Sequence, residues 1–125
     1  MVISHAEIRE RRLGTPQPWN PGDATDIIRT IANSEFTLHL TDHAEEQMEL
    51  RGLTTGDILH LLKHGFVYEQ PEPSTRRDLF KYKLDGVTPN SENRALRVVV
   101  LPCTKKNREI KIITMMWRDE VNRAC

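Results

Sequence analysis

Apolar residues recur with two different periods along this chain, and the change falls near its middle. Ile27, Ile28 and Ile31 lie on one side of a short helix that has Asp23 as N-cap and ends near Asn33. Phe36-Thr37-Leu38-His39-Leu40 then alternates with period two, which predicts a strand burying Phe36, Leu38 and Leu40. A helix follows at once: Thr41 or Asp42 caps it, Glu45 sits at the positive end of its dipole, and Gly52 supplies a left-handed stop after Arg51. A second helix repeats the signal. Thr54 and Asp57 form its capping box, Ile58, Leu59, Leu61 and Leu62 its buried side, and Gly65 its end.

From Phe66 onward the period is two, giving strands at about 66–70, 78–84, 94–101 and 109–117. Short polar links favour antiparallel pairing between neighbours. The fold class is therefore α+β, with short N-terminal helices packed on one face of a mostly antiparallel, twisted sheet of four to five strands. Residues 1–22 contain Gly14, Pro16, Pro18, Pro21 and Gly22 and read as an N-terminal arm before a single domain over 23–125.

A length of 125 residues suits one domain with an ordinary core. No apolar run approaches the 18 to 20 residues of a membrane helix, and the first residues lack the apolar core of a signal peptide. A cytoplasmic protein without membrane partners is expected. Cys103 and Cys125 can form one bridge at most and are expected as free thiols.

Eighteen Lys and Arg balance eighteen Asp and Glu, so the chain is no general polyanion binder. The balance is uneven along the sequence, however. Positions 36–66 carry five acids and two bases, whereas 74–111 carry ten bases and four acids. Strand parity places Phe80, Tyr82, Leu84, Leu96, Val98, Val100, Ile110, Ile112 and Met116 toward the helices. The opposite parity collects Lys81, Lys83, Arg97 and Lys111 beside Trp117, a mixture of cations and an aromatic platform suited to single-stranded nucleic acid.

His43 falls in the first turn of its helix, where the dipole disfavours an extra proton and leaves a general base near neutral pH. Gln47 and Arg51 follow at steps of four, so a proton-transfer group and a guanidinium share one stripe and can address one phosphate. His60 and His64 also stand four apart, but no third ligand accompanies them and no metal site or cofactor is expected.

The stretch from Leu40 to Thr54, with His43-Ala44, Gln47-Met48 and Arg51-Gly52, resembles a widespread bacterial family of small domains of unknown function. There a strand runs into His-Ala, then Arg-Met, then Arg-Gly before a second short helix. The likeness continues through Lys63-His64-Gly65, Arg94 to Val100 and Ile112-Ile113-Thr114, covering about residues 36–118. Such domains look like members of the RelE-like toxin superfamily, together with barnase-like and colicin-like ribonucleases. The resemblance implies metal-independent RNA cleavage by acid–base groups and a cognate antitoxin as partner. In this chain Gln47 stands where an Arg is common, and Arg97 where a His is often found.

The resulting expectation is an RNA-binding, RelE-like protein in which His43 assists proton transfer from a ribose 2′-hydroxyl. Arg51 and Arg97 stabilise phosphate charge, Tyr82 or Trp117 positions a base, and Lys81, Lys83 and Lys111 hold the strand. The alternative is a catalytically inactive toxin relative that docks a protein through its sheet or through the arm carrying Trp19. A DNA-reading helix-turn-helix fits poorly, because residues 42–64 are acidic.

Overall fold

A computed structural model describes residues 12–123. Asn20, not Asp23, caps the first helix, α1 (Pro21–Ala32): its side chain accepts from the Asp23 amide at 2.8 Å. Pro21 occupies the first helical position, where a missing N–H costs nothing. Ala24, Ile27, Ile28 and Ile31 are buried. Strand β1 (Thr37–Leu40) leads into helix α2 (Asp42–Arg51), whose cap is Thr41, accepting from the Ala44 amide at 3.0 Å. Gly52 ends α2 at φ 66°, the left-handed conformation that disfavours a Cβ. Helix α3 (Thr55–His64) buries Asp57, Ile58, Leu61 and Leu62. Gly65 ends α3 for a different reason: its φ is −74°, and an added Cβ would lie 2.7 Å from the Leu61 carbonyl oxygen and 3.0 Å from Leu84.

The sheet contains β2 (Phe66–Val67), β3 (Glu72–Pro73), β4 (Phe80–Gly86), β5 (Leu96–Cys103) and β6 (Glu109–Trp117), followed by a 3₁₀ turn at Arg118–Arg123. Its order is β1-β6-β5-β4-β2, with β3 also on β4. Every pairing is antiparallel except β1 with β6, which is parallel. The architecture is α+β with a mostly antiparallel sheet, as the periodicity predicts. One apolar cluster joins α1, α2 and α3 to Tyr82, Leu84, Leu96, Val98, Val100, Ile110 and Ile112. A smaller cluster of Leu79, Leu101 and Cys103, with Ile113 against it, has the opposite parity.

Two sequence expectations change here. The register of β5 on β6 pairs Val99 with Thr114 but Val100 with Ile112, leaving Ile113 as the extra residue of a bulge. Beyond it parity inverts, so Met115 replaces Met116 in the core and Trp117 packs with the helix-side cluster. Trp117 therefore does not share a face with Lys81, Lys83 and Lys111.

The described part of the expected arm is also tied into the fold. Trp19 is only 2% exposed and stacks on Tyr82 with ring centroids 5.3 Å apart. The Trp19 amide donates to the Tyr82 hydroxyl at 3.0 Å, Gln17 bridges Pro102 and Phe80, and Thr104 donates to the Leu13 carbonyl. A Trp buried in its own core cannot serve as a docking residue. Residues 1–11 of that arm, and Cys125, lie outside the described residues. Cys103 is a buried free thiol.

Candidate functional site

Helix α2 lies along the part of β6 that β1 leaves unpaired. Thr41 fixes that approach: its amide bonds to the Ile112 carbonyl and its hydroxyl to the Ile113 carbonyl. Only Ala44 and Met48 of α2 are buried, so the helix is held by few apolar contacts and by polar ones at its edge. His43 is exposed in the first turn, with Nε2 2.8 Å from Thr114 Oγ1. Two turns later Arg51 is largely covered, its side chain 13% exposed. A separation of eight residues spans ~12 Å along a helix, too far for both groups to meet one phosphate from their Cα positions. The Arg51 guanidinium closes part of that gap by folding back to the Gln47 side-chain oxygen. Glu120, from the 3₁₀ turn, approaches Arg51 to 3.5 Å.

Arg51 lines a cavity of about 400 Å³ with Asn90, Glu92, Arg94 and Trp117. The Arg94 guanidinium lies 4.5 Å from the Trp117 ring centroid. It makes a two-pronged pair with Asp119 at 2.9 and 2.8 Å, whose hydrogen bonds raise the Arg94 pKa further above its ordinary value. The loop opposite is anchored by Asp57, which accepts from the Asn90 amide and the Asn90 side chain at 2.9 Å each. Asp57 also accepts from the Thr54 amide at 2.7 Å, completing the helix cap. Burial raises the Asp57 carboxyl, but the hydrogen bonds from Thr54 and Asn90 outweigh it and hold the pKa well below the carboxylate range.

The expected cationic face has a different character. Arg97 is 3% exposed and makes a two-pronged pair with Asp85 at 2.8 and 2.9 Å, while Glu69 stands 2.9 Å away. The Asp85 hydrogen bonds raise its pKa against the opposing effect of burial. Lys83 faces Glu72 at 3.2 Å and Glu69 at 3.9 Å, and Arg118 reaches Asp85 at 3.3 Å. Lys81 and Lys111 have no ion partner among the described residues, and Lys111 is exposed. Parity placed the cations as foreseen; what it did not count is that Asp85 shares their face, and that Glu69 and Glu72 reach them from the edge. Arg97 is consequently a structural ion pair and not a free phosphate ligand.

Tyr82 also leaves the site. It is fully buried, burial pushes its pKa up to about 12 despite the bond from the Trp19 amide, and its hydroxyl holds Trp19 and Gln17. The structure thus brings His43, Arg51 and Trp117 to the α2–β6 edge and keeps Arg97 and Tyr82 away.

Sequence reasoning missed Arg94 as a member of this edge, and it missed a second cavity. That cavity, about 490 Å³, is lined by His60, His64, Phe66, Tyr68, Val87 and Arg118, among others. The signal was present in Phe66-Val67-Tyr68, whose alternation sets two rings on one side once Val67 is inward. Among the described residues no three His, Cys, Asp or Glu side chains gather as a metal site, and no helix is long and apolar enough to cross a membrane.

No curated protein and no solved structure matches the chain. One family does: residues 40–117, which include His43, Arg51, Arg94 and Trp117, match the family described as "Domain of unknown function (DUF4258)". That match spans more than half of the 125 residues, and the chain belongs to this family.

Proposed function

We propose that this protein is an RNA-binding relative of the RelE-like toxins that acts on single-stranded RNA at the α2–β6 edge. The observation that carries the reading is one helix face presenting an exposed imidazole and, two turns on, a guanidinium folded back toward it beside an Arg94–Trp117 stack. In this scheme His43 removes the proton from a ribose 2′-hydroxyl, the 2′-oxygen attacks the adjacent phosphorus, and the 5′-oxygen leaves with a proton from solvent, giving a cyclic phosphate. Arg51 and Arg94 carry the developing charge in place of Glu120 and Asp119, and Trp117 supports a base. Thr114 orients the imidazole. A cognate antitoxin would cover the same edge.

The test is purified protein incubated with cellular RNA in EDTA. Cleavage that His43→Ala abolishes supports the reading; intact RNA at high protein concentration removes its catalytic half.

A second reading is a non-enzymatic interaction module, favoured by the pairing of Arg97 and Lys83 with carboxylates of the same chain. A face already neutralised in cis has little charge to offer a polynucleotide. Co-purification of a protein partner with no RNA retained at low salt would support it.

A further inference from the structure

We infer that the groove beside β2 is a binding site for an unpaired nucleobase carrying phosphate, with Tyr68 as its stacking surface. Tyr68 is 68% exposed and Phe66 48%, although both belong to an edge segment, where natural sheets place charges or prolines to discourage aggregation. The two rings stack with centroids 6.0 Å apart and planes inclined by 27°. The Arg29 guanidinium sits 4.5 Å over the Phe66 ring while donating to the His64 and Gly65 carbonyls at 3.2 and 3.0 Å. Phe66 is thereby fixed from α1, and Tyr68 extends the fixed ring outward into solvent. A planar ligand meets a surface already ordered, so little side-chain entropy opposes its binding.

The remaining walls fit the rest of such a ligand. His60 and His64 stand one turn apart at the end of α3 with ring centroids 4.6 Å apart, and both reach the groove as hydrogen-bonding groups for base edges or phosphate oxygens. Arg118 adds a guanidinium, whose Nε lies 3.3 Å from Asp85. Val87, 49% exposed, adds apolar surface. Rings, imidazoles and a guanidinium around one cavity of about 490 Å³ make the combination that binds single nucleotides. Lone charge attraction plays a small part, since Asp85 also lines the groove and pairs with both Arg97 and Arg118.

The source of the base is either free nucleotide or an unpaired RNA strand. Only the second rests on the RNA reading above. The experiment titrates adenosine 5′-monophosphate and an unpaired oligoadenylate separately into the full chain, into Tyr68→Ala and into Tyr68→Phe. Stacking contributes ~1–3 kcal/mol per base, so Tyr68→Ala should weaken binding roughly 5- to 150-fold, and Tyr68→Phe should restore it because the hydroxyl is not required. An exposed ring can be removed without a cavity, and unchanged thermal unfolding checks that the fold persists.

Tyr68-dependent binding of the monophosphate alone supports the groove and counts against RNA as its ligand. Tyr68-dependent binding of the oligonucleotide supports both. Oligonucleotide binding indifferent to Tyr68→Ala overturns the groove and leaves the RNA reading standing, and failure of both probes to bind overturns the groove as well.

Discussion

Replacing Asp57 tests how helix capping is connected to the candidate cavity. Its carboxylate holds two separate pieces of chain: the Thr54 amide and hydroxyl at the start of α3, and the Asn90 amide and side chain in the loop facing Arg51. Asp57→Ala removes all four bonds. Loss of a cap alone costs ~1 kcal/mol, and each charge-assisted bond to the loop ~1.5–3 kcal/mol, lessened because Thr54 and Asn90 are exposed enough for water to replace the acceptor. The sum is about 3 kcal/mol in urea unfolding at neutral pH, with amide exchange accelerating over residues 88–93.

Asp57→Asn refines the test, since it keeps one acceptor oxygen but turns an NH2 toward a donor and cannot ionise. The wild-type carboxyl titrates below its ordinary value of 3.8, so its contribution is fully present above that pH and is lost as pH falls through the folded value. The stability gap between wild type and Asp57→Asn should therefore shrink from about pH 5 toward about pH 2.5. A gap constant over that range, or an alanine variant costing under ~1 kcal/mol, would refute the reasoning.

Two further outcomes follow from buried groups. Asp85→Ala leaves Arg97 with Glu69 as its remaining partner in a nearly inaccessible position, and should cost about 3 kcal/mol by denaturant unfolding; a neutral effect would mean that water reaches Arg97 freely. Tyr82, raised from 10.0 to about 12, binds its proton in the folded state after the unfolded chain has released it. Stability from this group is complete below pH 10 and falls as pH rises through 12, so absorbance titration should show a late-ionising tyrosine that Tyr82→Phe removes.

The helices were legible because their signals are local. Thr41, Gly52 and the Thr54–Asp57 box act within four residues of chain, and each marks a boundary that the structure keeps. The exception is instructive: Asp23 and Asn20 are both competent caps, and Pro21 at the first helical position decides between them. Strand parity was legible until the bulge at Ile113, because an inserted residue leaves no compositional trace in an apolar run such as Ile112-Ile113-Thr114-Met115-Met116. The parallel pairing of β1 with β6 was hidden for a related reason, since it joins residues about seventy positions apart. Trp19 among prolines read as an arm, for proline excludes helix and sheet but says nothing about burial.

Charge was the harder inference. Counting cations per face found Lys81, Lys83, Arg97 and Lys111 but omitted the acids that share their surroundings, and Asp85 pairs across the strands with Arg97 itself. An anionic strand gains most where counterions are released from unpaired cations, or where rings supply attraction independent of charge. The second condition is met at the end of the sheet, where Trp117 lines one cavity and Phe66 and Tyr68 the other, although Arg51, Arg94 and Arg118 there are ion-paired as Arg97 is. There Arg94 and Trp117 open onto one cavity, while their neighbours Ala95 and Arg118 open onto the other. The Arg118 amide bonds to the Ala95 carbonyl at 2.8 Å, just past the end of the β5–β6 ladder, so adjacent residues of one strand pair line the two cavities. A strand laid across Lys83 and Arg97 would have to displace Glu69, Glu72 and Asp85. An unpaired RNA strand crossing this end would likewise displace Asp119 and Glu120 from Arg94 and Arg51, but the end also offers Trp117 and Tyr68 as surfaces on which bases can stack.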